Sequence, residues 1–273
     1  MPGANARALE KARDLDADAL ILDLEDAVAP DAKEAARERV CAVVAAGGYG
    51  KREVIIRVNA LATPWGGADI AAAAAARPDA ILVPKVSAPA DLEAAAGRAD
   101  GIALWAMVET PAAIFEVRAI AASPALAVLV MGTNDLVKEL HAARVPGRAP
   151  LVTALQTALL GARAAGKPIL DGVFNDIQDT DGFCAECEQG RDFGFDGKTL
   201  IHPSQIALAN EVFAPAPAAV EDARRVIAAF EAPENAGKGV VTVDGRMVEL
   251  LHAEEARRTV AMAEAIAARE AGR

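Results

Sequence analysis

Glu109 and Asp135 are the two residues that make this chain look chemically active. Each closes a short apolar run, Leu104-Trp105-Ala106-Met107-Val108 before the first and Leu129-Val130-Met131-Gly132-Thr133-Asn134 before the second. Their spacing is that of one strand–helix unit, so both carboxylates face the same end of neighbouring strands. Close carboxylates repel unless a proton or a cation stands between them. A hard divalent ion such as Mg²⁺ is held by one or two carboxylates and keeps its other positions for water and substrate oxygens. The alternative for each acid is a helix cap or an ion pair with Lys or Arg.

Further charges close other apolar runs. Glu25 and Asp26 end one, Arg57 the next, Lys85 the next, Asp171 a later one, and His202 follows the last. Polar side chains in such places are costly unless paired or bound to a ligand. The Arg57 fork suits a substrate carboxylate or a thioester or keto oxygen; a buried pair with Glu25 or Asp26 is the alternative. Lys85 either neutralises a ligand phosphate or plays an ordinary structural part. A Schiff-base role for it would compete with the metal reading. His202, before Pro203, reads as a hydrogen-bonded structural residue rather than a base. Cys184 and Cys187 form a C-x-x-C without a second pair, too few ligands for zinc.

The elements that must position these residues are short. Apolar strands are expected near residues 20, 55, 82, 104, 129, 170 and 200, separated by Ala-rich helices. Strands apolar on both faces and alternating with helices are parallel strands under a helical cover. The fold class is α/β, a TIM (β/α)₈-type barrel with seven of its strands visible. Because Met1-Pro2-Gly3 leads straight into a helix, the sequence reads as starting one strand late. A doubly wound sheet is the alternative, but no Gly-rich dinucleotide fingerprint follows the first strand. Asp31 is expected to cap the helix after Pro30. Residues 1–213 form the barrel domain. Residues 214–273 add a hairpin around Asp244-Gly245 and a charged helix, a lid segment expected to be too small for a core of its own.

Composition narrows the function. The chain has 273 residues, 53% hydrophobic, with a net charge of −11. An acidic chain without a basic run is not a nucleic-acid binder. No apolar run reaches the ~20 residues of a membrane span, and the N-terminus lacks a signal-peptide pattern. Three cysteines, an odd and low count, fit a reducing, cytoplasmic setting.

Taken in order, Pro2-Gly3-Ala4-Asn5, Leu22-Asp23-Leu24-Glu25-Asp26-Ala27-Val28, Arg57-Val58-Asn59, Val83-Pro84-Lys85, Val108-Glu109-Thr110, Gly132-Thr133-Asn134-Asp135-Leu136 and Gly197-Lys198-Thr199-Leu200-Ile201-His202-Pro203 span nearly the whole chain. The set resembles the citrate lyase beta-subunit-like branch of the HpcH/HpaI aldolase/citrate lyase family. The resemblance implies a Mg²⁺-dependent enzyme acting on a CoA thioester, with Glu109 and Asp135 as metal ligands and Glu109 also lining the substrate. Arg57 would bind substrate and stabilise an enolate, with Glu25, Asp26 and Lys85 in support. Its leading implication is a carbon–carbon lyase of a short 3-hydroxy-dicarboxylyl-CoA, such as malyl-CoA or citramalyl-CoA. The alternatives are a malyl-CoA-type thioesterase on the same scaffold and a non-catalytic scaffold subunit. In CoA-dependent relatives an acid of the C-terminal segment serves a neighbour's site, which implies a homotrimer or homohexamer. Glu249 takes that place here, where relatives often carry Asp; the alternative is an acid favoured at a helix N-terminus.

Overall fold

Aliphatic and β-branched runs, each too short for a helix, form seven strands: β1 (Ala19–Asp23), β2 (Glu53–Arg57), β3 (Ala80–Val83), β4 (Ala103–Val108), β5 (Leu126–Met131), β6 (Ile169–Asp171) and β7 (Gly197–Lys198). The computed structural model describes residues 1–271. Helix α1 (Ala6–Lys11) precedes β1, and α2 (Lys33–Ala46), α3 (Gly66–Ala76), α4 (Pro89–Ala96) and α5 (Pro111–Ala121) join the strands up to β5. Two helices, α6 (Thr133–Glu139) and α7 (Val152–Ala164), lie between β5 and β6. Helix α8 (Thr180–Phe193) leads to β7, and α9 (Ile206–Phe213) follows it.

All seven strands are parallel and paired in sequential order. A doubly wound sheet reverses its order at a switch point. A sequential parallel sheet under helices is the wall of a TIM-type barrel. At its β1 edge Pro2 forms a parallel bridge with Asp23, and the Met1 ammonium donates to the Ile21 carbonyl at 2.7 Å.

Side chains alternate across a strand, so the two faces are read by parity. One face carries Ile55, Ala80, Leu82, Trp105, Met107 and Val130, which pack with Ile21, Val128 and Leu170 as the barrel interior. The other carries Leu22, Ile56, Ile81, Leu104 and Leu129, buried beneath the helices. Each such aliphatic side chain contributes about 1.5–3 kcal/mol on burial. The interior rows turn from apolar to charged at their C-terminal ends. Asp23 continues the row of Ile21, Arg57 that of Ile55 and Glu109 that of Trp105 and Met107.

The second unit begins at Asn210. It holds α10 (Pro217–Glu231), a hairpin of β8 (Val240–Val243) and β9 (Arg246–Glu249), and α11 (Leu250–Glu270). Asp244 and Gly245 both have positive φ, 50° and 77°, as a tight hairpin turn demands.

Four expectations are corrected here. The second unit has a core of its own, formed by Ala223, Val226, Val241, Val243, Val248, Ala253 and Ala256. Alternation along the hairpin gives it one apolar face, which two helices cover. Asp31 caps nothing: it sits in a 3-10 turn, and α2 starts at Lys33 with Ala32 as an N-cap that makes no side-chain bond. The last strand is Gly197–Lys198, not the run up to Ile201. Asp135 does not end a strand but lies in the first turn of α6.

Candidate active site

Arg57 and three carboxylates form the first half of the site. Its Nε and Nη2 donate to the two Asp23 oxygens at 2.6 and 2.7 Å. Nη1 lies 2.9 Å from Glu25 Oε2 and 3.3 Å from Asp26 Oδ2. The pairing reading of Arg57 therefore holds, and the guanidinium stands at the mouth of the interior. Burial alone would lower the Arg57 pKa, but the Asp23 hydrogen bonds and the surrounding acids raise it further. Burial would raise Asp23, yet Arg57 and the Glu25 and Ala27 N–H groups hold it below the usual carboxylate range. Asp23 is the site residue that inspection of the sequence overlooked; its place two residues after Ile21 was the available signal.

Glu25 is the exception among these acids. Its Oε2 is close to Arg57 Nη1 but out of line for a hydrogen bond, and it has no other partner. Burial pushes its carboxyl up to about 7, against the pull of Arg57.

Lys85 ties the second half together. Its backbone N–H donates to Glu109 Oε1 at 2.7 Å. Its Nζ lies 3.5 Å from the same oxygen and 2.6 Å from Asp135 Oδ2. Glu109 is 1% exposed; burial raises its pKa in spite of Lys85. Burial would lower the Lys85 pKa, but the Asp135 hydrogen bond and the Glu109 charge raise it. An amine held protonated is the reverse of what a Schiff base needs. Lys85 also has φ 56°, a left-handed conformation costing a non-glycine residue about 1–3 kcal/mol. That turn aims its N–H at Glu109.

Gly132 makes room for Glu109. A Cβ there would stand 2.4 Å from Glu109 Cβ and 2.5 Å from its Oε2. Gly132→Ala is expected to displace the Glu109 carboxylate and weaken Mg²⁺ binding at least about tenfold, or 1.4 kcal/mol. Calorimetric titration of Mg²⁺ checks this; unchanged affinity would show that the space is not needed.

Other sequence-named residues stay apart. Asp171 continues the opposite parity from Leu170. It accepts from Arg148 Nη1 at 2.7 and 2.9 Å and pairs with Lys198 at 3.2 Å, beside Glu186. It belongs to a buried charge network under α8. His202 Nδ1 lies 2.8 Å from Ser204 Oγ, the structural role expected of it. Cys184 and Cys187 are free thiols. Glu249 is exposed in the second unit, where its N–H donates to His252 Nδ1 at 2.9 Å.

The donor set of Glu109 and Asp135 fits Mg²⁺. Both are hard oxygen donors already sharing one cationic partner, the Lys85 ammonium. Among the described residues no cluster of three or more His, Cys, Asp or Glu is placed to hold a metal. A pair of carboxylates is the set with which Mg²⁺ keeps water and substrate positions open. No helix among the described residues is long and apolar enough to cross a membrane.

A parallel barrel with paired acids and an arginine at the carboxyl ends of its strands is the layout of a TIM-barrel enzyme. The chain belongs to the HpcH/HpaI aldolase/citrate lyase family, which it matches over residues 1–203. It is 54% identical to the (3S)-malyl-CoA thioesterase of Cereibacter sphaeroides (strain KD131 / KCTC 12085), over 98% of this chain and 94% of that one. It is 36% identical to the citrate lyase subunit beta of Escherichia coli (strain K12), over 99% and 93%. The solved structure of CitE from Mycobacterium tuberculosis, in complex with magnesium, acetoacetate and coenzyme A, superposes with a TM-score of 0.79 at 30% identity, covering 96% of each chain.

Proposed function

We propose that this protein is a Mg²⁺-dependent thioesterase acting on a short 3-hydroxy-dicarboxylyl-CoA of the malyl-CoA type. The observation that carries the reading is the 54% identity to a (3S)-malyl-CoA thioesterase over 98% of the chain. The leading implication of the sequence was a carbon–carbon lyase. The greater similarity to the thioesterase favours hydrolysis, while the citrate lyase subunit beta at 36% keeps the lyase as the second reading.

Glu109 and Asp135 would hold the Mg²⁺, which when bound would supply Lewis-acid polarisation of substrate oxygens. Asp23 fixes the guanidinium plane of Arg57 through Nε and Nη2 and leaves Nη1, with only the exposed Asp26 and the off-line Glu25 against it, to meet substrate. Nη1 then donates to the oxygen that gains charge as the thioester carbonyl is attacked. In hydrolysis a water oxygen bonds to that carbonyl carbon, the C–S bond breaks, and the water's proton passes through a base to the sulfur. In the lyase reading the base takes the hydroxyl proton instead, and Arg57 holds the thioester enolate. Glu249 is the proposed base, supplied by a neighbouring copy in a homotrimer or homohexamer.

Incubation with malyl-CoA and Mg²⁺, followed by product analysis, tests the proposal. Free CoA with intact malate is the expected result. Acetyl-CoA with an oxo acid would replace it with the lyase, and absence of both products would leave the barrel a scaffold. Glu249→Gln is expected to lower turnover by about 10²-fold or more, the scale of general acid–base catalysis, with Mg²⁺ affinity unchanged. Full activity in that variant would return Glu249 to its place as a helix-end acid.

A further inference from the structure

We infer that Lys85 is a built-in counter-cation that holds Glu109 and Asp135 together without metal and is displaced when Mg²⁺ binds. The inference rests on the metal reading of this pair given above. Lys85 Nζ reaches both acids, at 3.5 and 2.6 Å. An ammonium and a divalent cation drawn to the same pair of carboxylates repel each other at close range. Mg²⁺ takes its ligands at about 2.0–2.1 Å, and that repulsion favours the ammonium's leaving the Asp135 oxygen it now touches.

The chain is built for that movement. The Lys85 backbone, not its ammonium, makes the shorter contact with Glu109, 2.7 Å from the N–H. Glu109 therefore stays anchored when the side chain swings away. The side chain is 36% exposed, on a flexible four-carbon stem. On the Arg57 side the Glu25 carboxyl has an oxygen, Oε2, with no hydrogen-bond partner. That carboxylate adjoins Arg57. Metal entry thus frees the Lys85 ammonium from the acids that would hold the ion.

The opposite inference is that Lys85 organises the acids for metal, and the two predict opposite signs. The test is a titration with Mn²⁺ as a spectroscopic stand-in for Mg²⁺, followed by electron paramagnetic resonance. It uses wild type, Lys85→Met, Lys85→Gln and, as a charge control, Lys138→Met, an exposed lysine on α6. Both Lys85 variants are expected to bind Mn²⁺ about tenfold tighter or more, which is about 1.4 kcal/mol, because no ammonium has to be displaced. Lys138→Met should bind as wild type does. Unchanged or weaker binding in both Lys85 variants would overturn the inference while leaving the metal site standing. Equal tightening in Lys138→Met would reduce the effect to net charge and overturn it too. No Mn²⁺ binding in any form would remove the metal reading itself, and this inference with it.

Discussion

Asp135→Ala is expected to lower turnover by at least about a thousandfold and to raise the Mg²⁺ dissociation constant by two orders of magnitude or more. A bound divalent ion supplies several kcal/mol of charge stabilisation at a reacting oxygen, and each 1.36 kcal/mol is tenfold in rate. In the proposed metal site two protein ligands are available, so losing Asp135 leaves only Glu109. Glu109→Ala is expected to be at least as severe, because that carboxylate is buried and its loss also frees the Lys85 N–H. The fold should survive Asp135→Ala. Asp135 is partly exposed in the first turn of α6, and its contact there is with Lys85. Single-turnover kinetics with a metal titration reads both effects. Wild-type affinity in either variant would take that residue out of the metal site.

Arg57 carries the second large effect, and two substitutions separate its roles. Arg57→Ala leaves Asp23, Glu25 and Asp26 facing one another without their shared cation. Breaking a buried pair by removing one partner costs about 3–5 kcal/mol, so the variant should melt well below wild type. Arg57→Lys keeps the charge but not the fork that spans both Asp23 oxygens. It is expected to recover part of the thermal stability and still lose about 10²–10³-fold in turnover, the scale of a missing preorganised donor. Thermal unfolding alongside kcat decides the matter. A lysine variant with near-normal turnover would confine Arg57 to holding the acids together.

Much of this arrangement was legible in the sequence because barrel strands announce themselves as short apolar runs. All seven were counted near their true positions, and the charges that close them led to Arg57 and Glu109. What escaped has local causes. Asp23 sat inside an apolar run and looked like part of it; only the parity of two from Ile21 marks it as facing inward. The segment Thr133–Glu139 is short and polar, and its first turn has no side-chain cap, so α6 gave no start signal. The meeting of Lys85 with both acids depends on a left-handed lysine, a conformation that residue type does not advertise. Asp171 was grouped with the site because it also closes a strand. Its partner Arg148 lies in a Pro- and Gly-bearing turn that only the folded chain brings near.

The register of β4 and β5 has a consequence for how this chain can change over evolutionary time. Val108 pairs with Met131 through main-chain hydrogen bonds, and Glu109 and the Gly132 step into α6 follow directly from that pair. The separation of the two acids is thus inherited from the backbone ladder rather than from the shapes of the core side chains behind it. Apolar residues in the barrel interior can be exchanged, a few at a time, without moving either carboxylate. Sequence drift of the extent seen between this chain and CitE, 30% identity at a TM-score of 0.79, is compatible with such an arrangement. The loops that follow the strands can then change while the acid pair keeps its spacing.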